Sequence, residues 1–243
     1  MGADQNLDWA AAAASALDWW HDAGVDVLVE DERFDWLAAP VAHSIPQHPA
    51  PAPDAAPAPA AMPDSWDAFV AWRTGDTAPE AKWGGAAIAA SGAAGADLLF
   101  FVDCPERGDR ETLMEGEVGR LFDRMLAAIG RSRADVAIAS VCTRRPTTGR
   151  VPREIEERLA DIARHHVALA RPKRVMAMGD AATRALLATN VAEARGRLQP
   201  LNHKNATIAE VVATHHPRFL LDRPAAKAEA WRDLLMLTGT EHA

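Results

Sequence analysis

Residues 64–243 predict an α/β fold: a three-layer α/β/α domain on a four-stranded, mainly parallel sheet. Three observations carry this. Short apolar runs alternate with stretches of helical spacing, the pattern of parallel strands covered on both faces. The runs are rich in β-branched and aromatic residues and too short to be helices. Polar loops at 103–116, 142–153 and 214–223 follow strands, so a parallel arrangement gathers them at one sheet edge.

Each element is justified in chain order. Residues 6–23 predict an amphipathic helix bearing Trp9, Leu17, Trp19 and Trp20, and "VDVLVEDERFDWL" after it is apolar enough to bind a partner. Together they make residues 1–45 an acidic helical segment. The tract 46–63, "PQHPAPAPDAAPAPAAMP", cannot form a core and predicts an extended, semi-rigid linker. Asp64 or Ser65 is the N-cap candidate for a short helix in "DSWDAFVAW". "DLLFFVD" then predicts the first strand, "GEVGRLFDRMLAAIG" a helix stopped at Gly130, and "DVAIASV" the second strand. "PREIEERLADIARHHVALA" is helical with proline in its first turn, "RVMAMG" is the third strand and "DAATRALLA" a short helix. "IAEVVAT" is the fourth strand, and "PAAKAEAWRDLLML" the last helix.

The 243 residues are 49% hydrophobic, enough for one ordinary domain with an appendage. No apolar run approaches the roughly 20 residues of a membrane span. The alanine-rich start has acids where a secretory leader has bases, so the expectation is a cytoplasmic protein without membrane contact. Cys104 and Cys142 are too few for a disulfide framework and neither belongs to a CxxC. The net charge of −8 is unevenly spread. Residues 1–62 hold ten acids against Arg33 alone, while "RRPTTGRVPR" (144–153) has four arginines and no acid. Screening confines the relevant field to about 10 Å, so an acidic chain can still meet phosphates through a basic loop. The same loop is equally consistent with a solvated surface.

"ATHHPRFLLDRP" (213–224) places His215 and His216 where the fourth strand stops, the edge at which open α/β sheets bind ligands. One imidazole capping the next turn beside a solvated partner would explain them equally well.

The blocks "GRLFDRMLAAIG", "VAIASVCTRRPTTGR", "VALARPKRVMAMGDAATRALL", Arg195–Gly196 and "VVATHHPRFLLDRPAAKAEAWRDLL" resemble the uracil-DNA glycosylase superfamily, nearest its family 4, the iron–sulfur branch. The resemblance covers about residues 97–237. It implies a uracil-DNA glycosylase-like fold and base excision repair, a hydrolase reaction in which the N-glycosidic bond of a flipped base is cut. Extrusion is required because that bond is unreachable inside the stack. In the family's "HP" motif the histidine, here His216, faces the uracil O2 where charge develops, and the motif's acid corresponds to Asp103. Base-pocket positions fall on Cys104, Pro105, Met114 and Ser140. DNA contacts fall on Arg144, Arg145, Arg150, His215 and Arg218.

Departures from the family pattern are specific. A "GEAPG"-like loop is here "VDCPE", so Val102 and Glu106 replace glycines that let backbone approach a ligand, and Glu106 adds a carboxylate. The stacking phenylalanine is matched by Met114, no flat platform, and the base-reading asparagine by Ser140, one hydroxyl for a bidentate amide. Arg144 and Arg158 stand where the core cluster cysteines align, so no iron–sulfur cluster and no other cofactor or metal is expected. Single- or double-stranded DNA is the implied partner, which puts the expected protein at the nucleoid, with a protein partner conceivable through residues 1–45. The expected function is thus a weakened or retargeted glycosylase with a divergent active site. The alternative is a catalytically inactive adaptor on the same fold in repair or replication.

Overall fold

The computed structural model describes residues 9–24, 62–92, 95–204 and 206–239. Apart from Met62 and Pro63, the sequence readings for 25–37 and the Pro/Ala tract lie outside them. Contacts divide the chain into residues 1–58 and 59–243. In the first unit, α1 (Trp9–Asp22) buries no residue, and its Trp9, Leu17, Trp19 and Trp20 are exposed.

The second unit opens with α2 (Trp66–Thr74), with Ser65 at its N-cap. Strand β1 (Leu98–Val102) is buried along its whole length, as befits a central parallel strand. Then follow α3 (Gly116–Ala128), β2 (Ala137–Ser140), α4 (Arg153–Ala170), β3 (Arg174–Met178), α5 (Asp180–Leu187) and the single turn α6 (Val191–Ala194). Strands β4 (Leu198–His203) and β5 (Ala206–Thr214) form a hairpin, and α7 (Pro217–Asp222) and α8 (Lys227–Thr238) close the domain. Among the described residues no helix is long and apolar enough to cross a membrane.

The sheet order is β2-β1-β3-β5-β4. Its four sequence-predicted strands are parallel, with Val102 level with Ser140 on one side and Met178 on the other, and Met178 level with Thr214. The fifth strand, β4, is an addition to the predicted four and pairs antiparallel with β5 at the sheet edge. Strand alternation splits the core in two. Leu99, Phe101, Val175 and Ala177 pack with α2, α4 and α5, whereas Phe100, Val102, Met176 and Met178 pack with α3, α7 and α8.

Strand order fixes where the site falls. From β1 the chain runs outward to β2, then returns to place β3 on the other side of β1. At such a reversal, adjacent strand ends diverge their loops and leave a crevice. Asp103 directly follows β1, and Gly179 directly follows β3.

Candidate active site

Gly179 sits at φ +103°, and a Cβ on it would lie 2.6 Å from an Asp103 carboxylate oxygen. Only glycine permits this approach, which brings the Asp103 carboxyl against the β3 end. Asp103 Oδ1 accepts the Ala182 N–H at 2.7 Å, in the first turn of α5. Burial nevertheless outweighs that bond and the Arg218 charge, and raises the Asp103 pKa to about 6. The group is therefore a carboxylate at neutral pH, close enough to its midpoint to exchange a proton readily.

His216 is the N-cap of α7, with Pro217 at the first helical position. Its Nδ1 accepts the Arg218 N–H at 3.2 Å, which assigns the ring proton to Nε2. Burial, with Arg218 and Arg145 nearby, pushes its pKa down to about 3. The imidazole is a neutral donor across the physiological range. Its Nε2 is buried without a hydrogen-bond partner, the nearest acid oxygen being Glu106 Oε1 at 3.7 Å, beyond bonding reach. A buried N–H left unpaired costs about 1–3 kcal/mol, and such groups in native folds ask for an explanation.

Asp103, His215, His216 and Arg218 border one cavity of about 420 Å³ with Gly179, Asp180, Asn190 and Phe219. His215 stacks on Phe219 with ring centres 4.6 Å apart, and its Nε2 lies 3.5 Å from Glu229. Across the cavity, Asp180 accepts the Val191 N–H at 3.0 Å and holds α6 in place.

The other expected base-pocket residues do not border this cavity. Cys104, Pro105, Met114 and Ser140 are buried. Ser140 donates to the Cys142 carbonyl at 2.7 Å and lies among Phe69, Arg73, Thr143 and His166. Met114 occupies the left-handed region at φ 57° and packs in the α3 core, with its N–H given to Asp109 and its carbonyl receiving Arg133. Its backbone turns the loop into α3, and its side chain is core rather than platform.

The three loops predicted to gather at one edge meet at Glu106. Arg218 Nη1, from the third loop, donates to both Glu106 oxygens at 2.7 and 2.8 Å. Arg145, from the second, approaches to 3.9 Å while donating to the Pro105 carbonyl at 2.7 Å. Asp109 fixes the first loop by accepting the Glu106, Met114 and Glu115 N–H groups. Arg144 donates to the Gly85 carbonyl, and Arg150 is exposed. Two of the arginines expected at phosphates thus also bond backbone carbonyls of neighbouring loops. Sequence reasoning expected Glu106 to reshape the pocket and to set a carboxylate near DNA but did not foresee its pairing with Arg218, and it missed Gly179 and Asn190. The glycine directly after a strand was the available signal.

The donor set does not fit an iron–sulfur cluster. Such a cluster is typically held by four cysteine thiolates, and the sequence has two cysteines, Cys104 and Cys142, both buried. Among the described residues no group of three or more His, Cys, Asp or Glu side chains could hold a metal ion.

Two comparisons with known proteins bear on the family. The profile of the Uracil DNA glycosylase superfamily matches residues 91–235. The Type-4 uracil-DNA glycosylase of Pyrobaculum aerophilum is 28% identical over 131 residues, covering 51% of this chain and 66% of that enzyme, just under two thirds of its length. The chain belongs to the uracil-DNA glycosylase superfamily.

Proposed function

We infer that this protein hydrolyses the N-glycosidic bond of uracil or another damaged base extruded from DNA, as a repair enzyme with an altered site. One observation carries the reading: a neutral, buried His216 Nε2–H with no partner, beside a carboxylate of raised pKa on the same cavity. As the bond to the sugar lengthens, the departing base gains negative charge on its carbonyl oxygen and the sugar gains positive charge. The Nε2–H, once reached, donates to that oxygen, and a donor fixed in advance stabilises charge without reorganisation. Asp103, ionised above about pH 6, sits opposite in charge to the sugar and orients the attacking water. The test is abasic-site formation from a uracil-containing single strand, with His216→Ala as control. Product at the control's level would overturn the reading.

Exposed Arg150, with Arg218 and His215 at the cavity, supplies the phosphate contacts in this proposal. Binding to a single strand should then fall with salt, and Arg150→Ala should flatten the log–log slope by about 0.7, the value of one lost contact. A fluorescence titration at several salt concentrations reads this directly, and an unchanged slope removes Arg150 from the interface. The chain works without a cluster on this reading. Purified protein should be colourless, and stoichiometric iron with absorbance in the visible would contradict it.

A second reading is favoured by α1, which leaves Trp9, Leu17, Trp19 and Trp20 exposed. An adaptor would bind DNA through the domain and a protein through residues 1–45, in the cytoplasm at the nucleoid, with no excision. The same cleavage assay separates the two.

A further inference from the structure

The His216 donor has a cover. Its Nε2 has essentially no solvent-accessible surface, so a base oxygen reaches it only after a neighbouring side chain moves. Glu106, whose side chain is 13% exposed, is the acid facing it at 3.7 Å. Glu106 does not rest there unaided: Arg218 Nη1 holds both of its oxygens, and Asp109 fixes its backbone N–H. The arrangement is unfavourable for excision as it stands. A carboxylate 3.7 Å from His216 Nε2 opposes negative charge on a departing base through like-charge repulsion.

Arg218 is the part that can let go. Its side chain is 39% exposed, against 13% for Glu106, and it borders the cavity. A guanidinium binds phosphate oxygens with the same forked geometry it offers a carboxylate. We propose that Glu106 and Arg218 form a latch across His216, opened when a DNA phosphate takes Arg218 and Glu106 swings away from Nε2. Backbone binding is thereby coupled to exposure of the catalytic donor, and a free base in solution meets a closed site. The latch rests on the DNA reading above, and it names what that site requires before a base can enter.

The test uses the full chain carrying 15N-labelled histidine, with the His216 Nε2 resonance followed during titration with free uracil. Wild type, Glu106→Gln and Glu106→Gly are compared, with and without a short undamaged single strand. Glu106→Gln keeps the side chain's volume, so it guards against a folding defect in the glycine variant. Without DNA, both variants should bind uracil about tenfold more tightly than wild type, the value of one neutral hydrogen bond near its upper bound. The strand should bring wild type up to the variants and leave them unchanged. Equal affinities in all three without DNA, no uracil response in any, or a wild-type affinity indifferent to the strand would overturn the latch. Failure of the excision reading looks different: the latch opens as described, yet a uracil-containing strand stays uncut. Conversely, cleavage by wild type with equal uracil affinities in all three leaves that reading standing and removes the latch.

Discussion

His216→Ala should lower the single-turnover rate of abasic-site formation about 100- to 1,000-fold while the domain stays folded. That is the usual loss when one preorganised donor is taken from a developing oxyanion, about 3–4 kcal/mol of barrier. The imidazole's structural contribution is small by comparison. Its Nδ1 caps α7 through the Arg218 N–H, and losing such a cap costs about 1 kcal/mol. Against this, its Nε2–H is buried without a partner, a cost the substitution removes. Thermal unfolding should therefore shift by only a few degrees. A comparable loss of rate with a collapsed melting transition would make His216 a folding residue instead.

Asp103→Asn should lose activity and gain stability, and the two changes should separate with pH. Proton-transfer and charge-stabilising carboxylates contribute about 100- to 10,000-fold, so the rate should fall within that range. Stability follows from the raised pKa. Below pH 3.8 the group is protonated in folded and unfolded chains alike and contributes nothing. Between 3.8 and about 6 the unfolded chain has released the proton that the folded chain still holds, so stability falls as pH rises. Above about 6 the loss is complete, near 3 kcal/mol for two units of difference. Water in the cavity screens part of it, so about 1–3 kcal/mol is expected. Asparagine never ionises and escapes the cost, while its side-chain oxygen can still accept the Ala182 N–H. Denaturant unfolding at pH 4 and pH 8 checks this: the variant should match wild type at pH 4 and exceed it at pH 8. A variant less stable at pH 8 would mean the carboxylate is a structural anchor.

What the sequence made legible was whatever its apolar pattern encodes. β1, β2, β3 after Arg174 and the last four residues of β5 are buried, and continuous runs such as "LLFF" announce them. β4 was not legible, since it is an edge strand with Leu201 its only buried residue and Pro200 in the middle. Proline at that position argues against a strand unless the strand lies at an edge, a placement only tertiary structure reveals. Asp103, His215 and His216 follow strand ends, and topology brings them to one cavity with Arg218 of α7; the roles expected of them came from the resemblance. Met114 and Ser140 were assigned by position in a resemblance, and position says nothing of side-chain direction. Both turn into the packed interior. Arg144 and Arg145 illustrate a second limit. A run of arginines looks like a phosphate site, yet each here satisfies a backbone carbonyl of a neighbouring loop. Carbonyls have no signature in a sequence, so that bracing is invisible before the loops are placed.

The central claim is that a neutral His216 and an ionised Asp103 act on one extruded base. Its most direct test is the single-turnover rate of abasic-site formation from a uracil-containing single strand, measured from pH 4.5 to pH 8. The predicted profile rises with one inflection near 6, as Asp103 ionises, and then stays level, because His216 loses no proton in that interval. A rate that falls as pH rises through 6 to 7, as an imidazolium donor would give, or product no faster than His216→Ala at every pH, would contradict it.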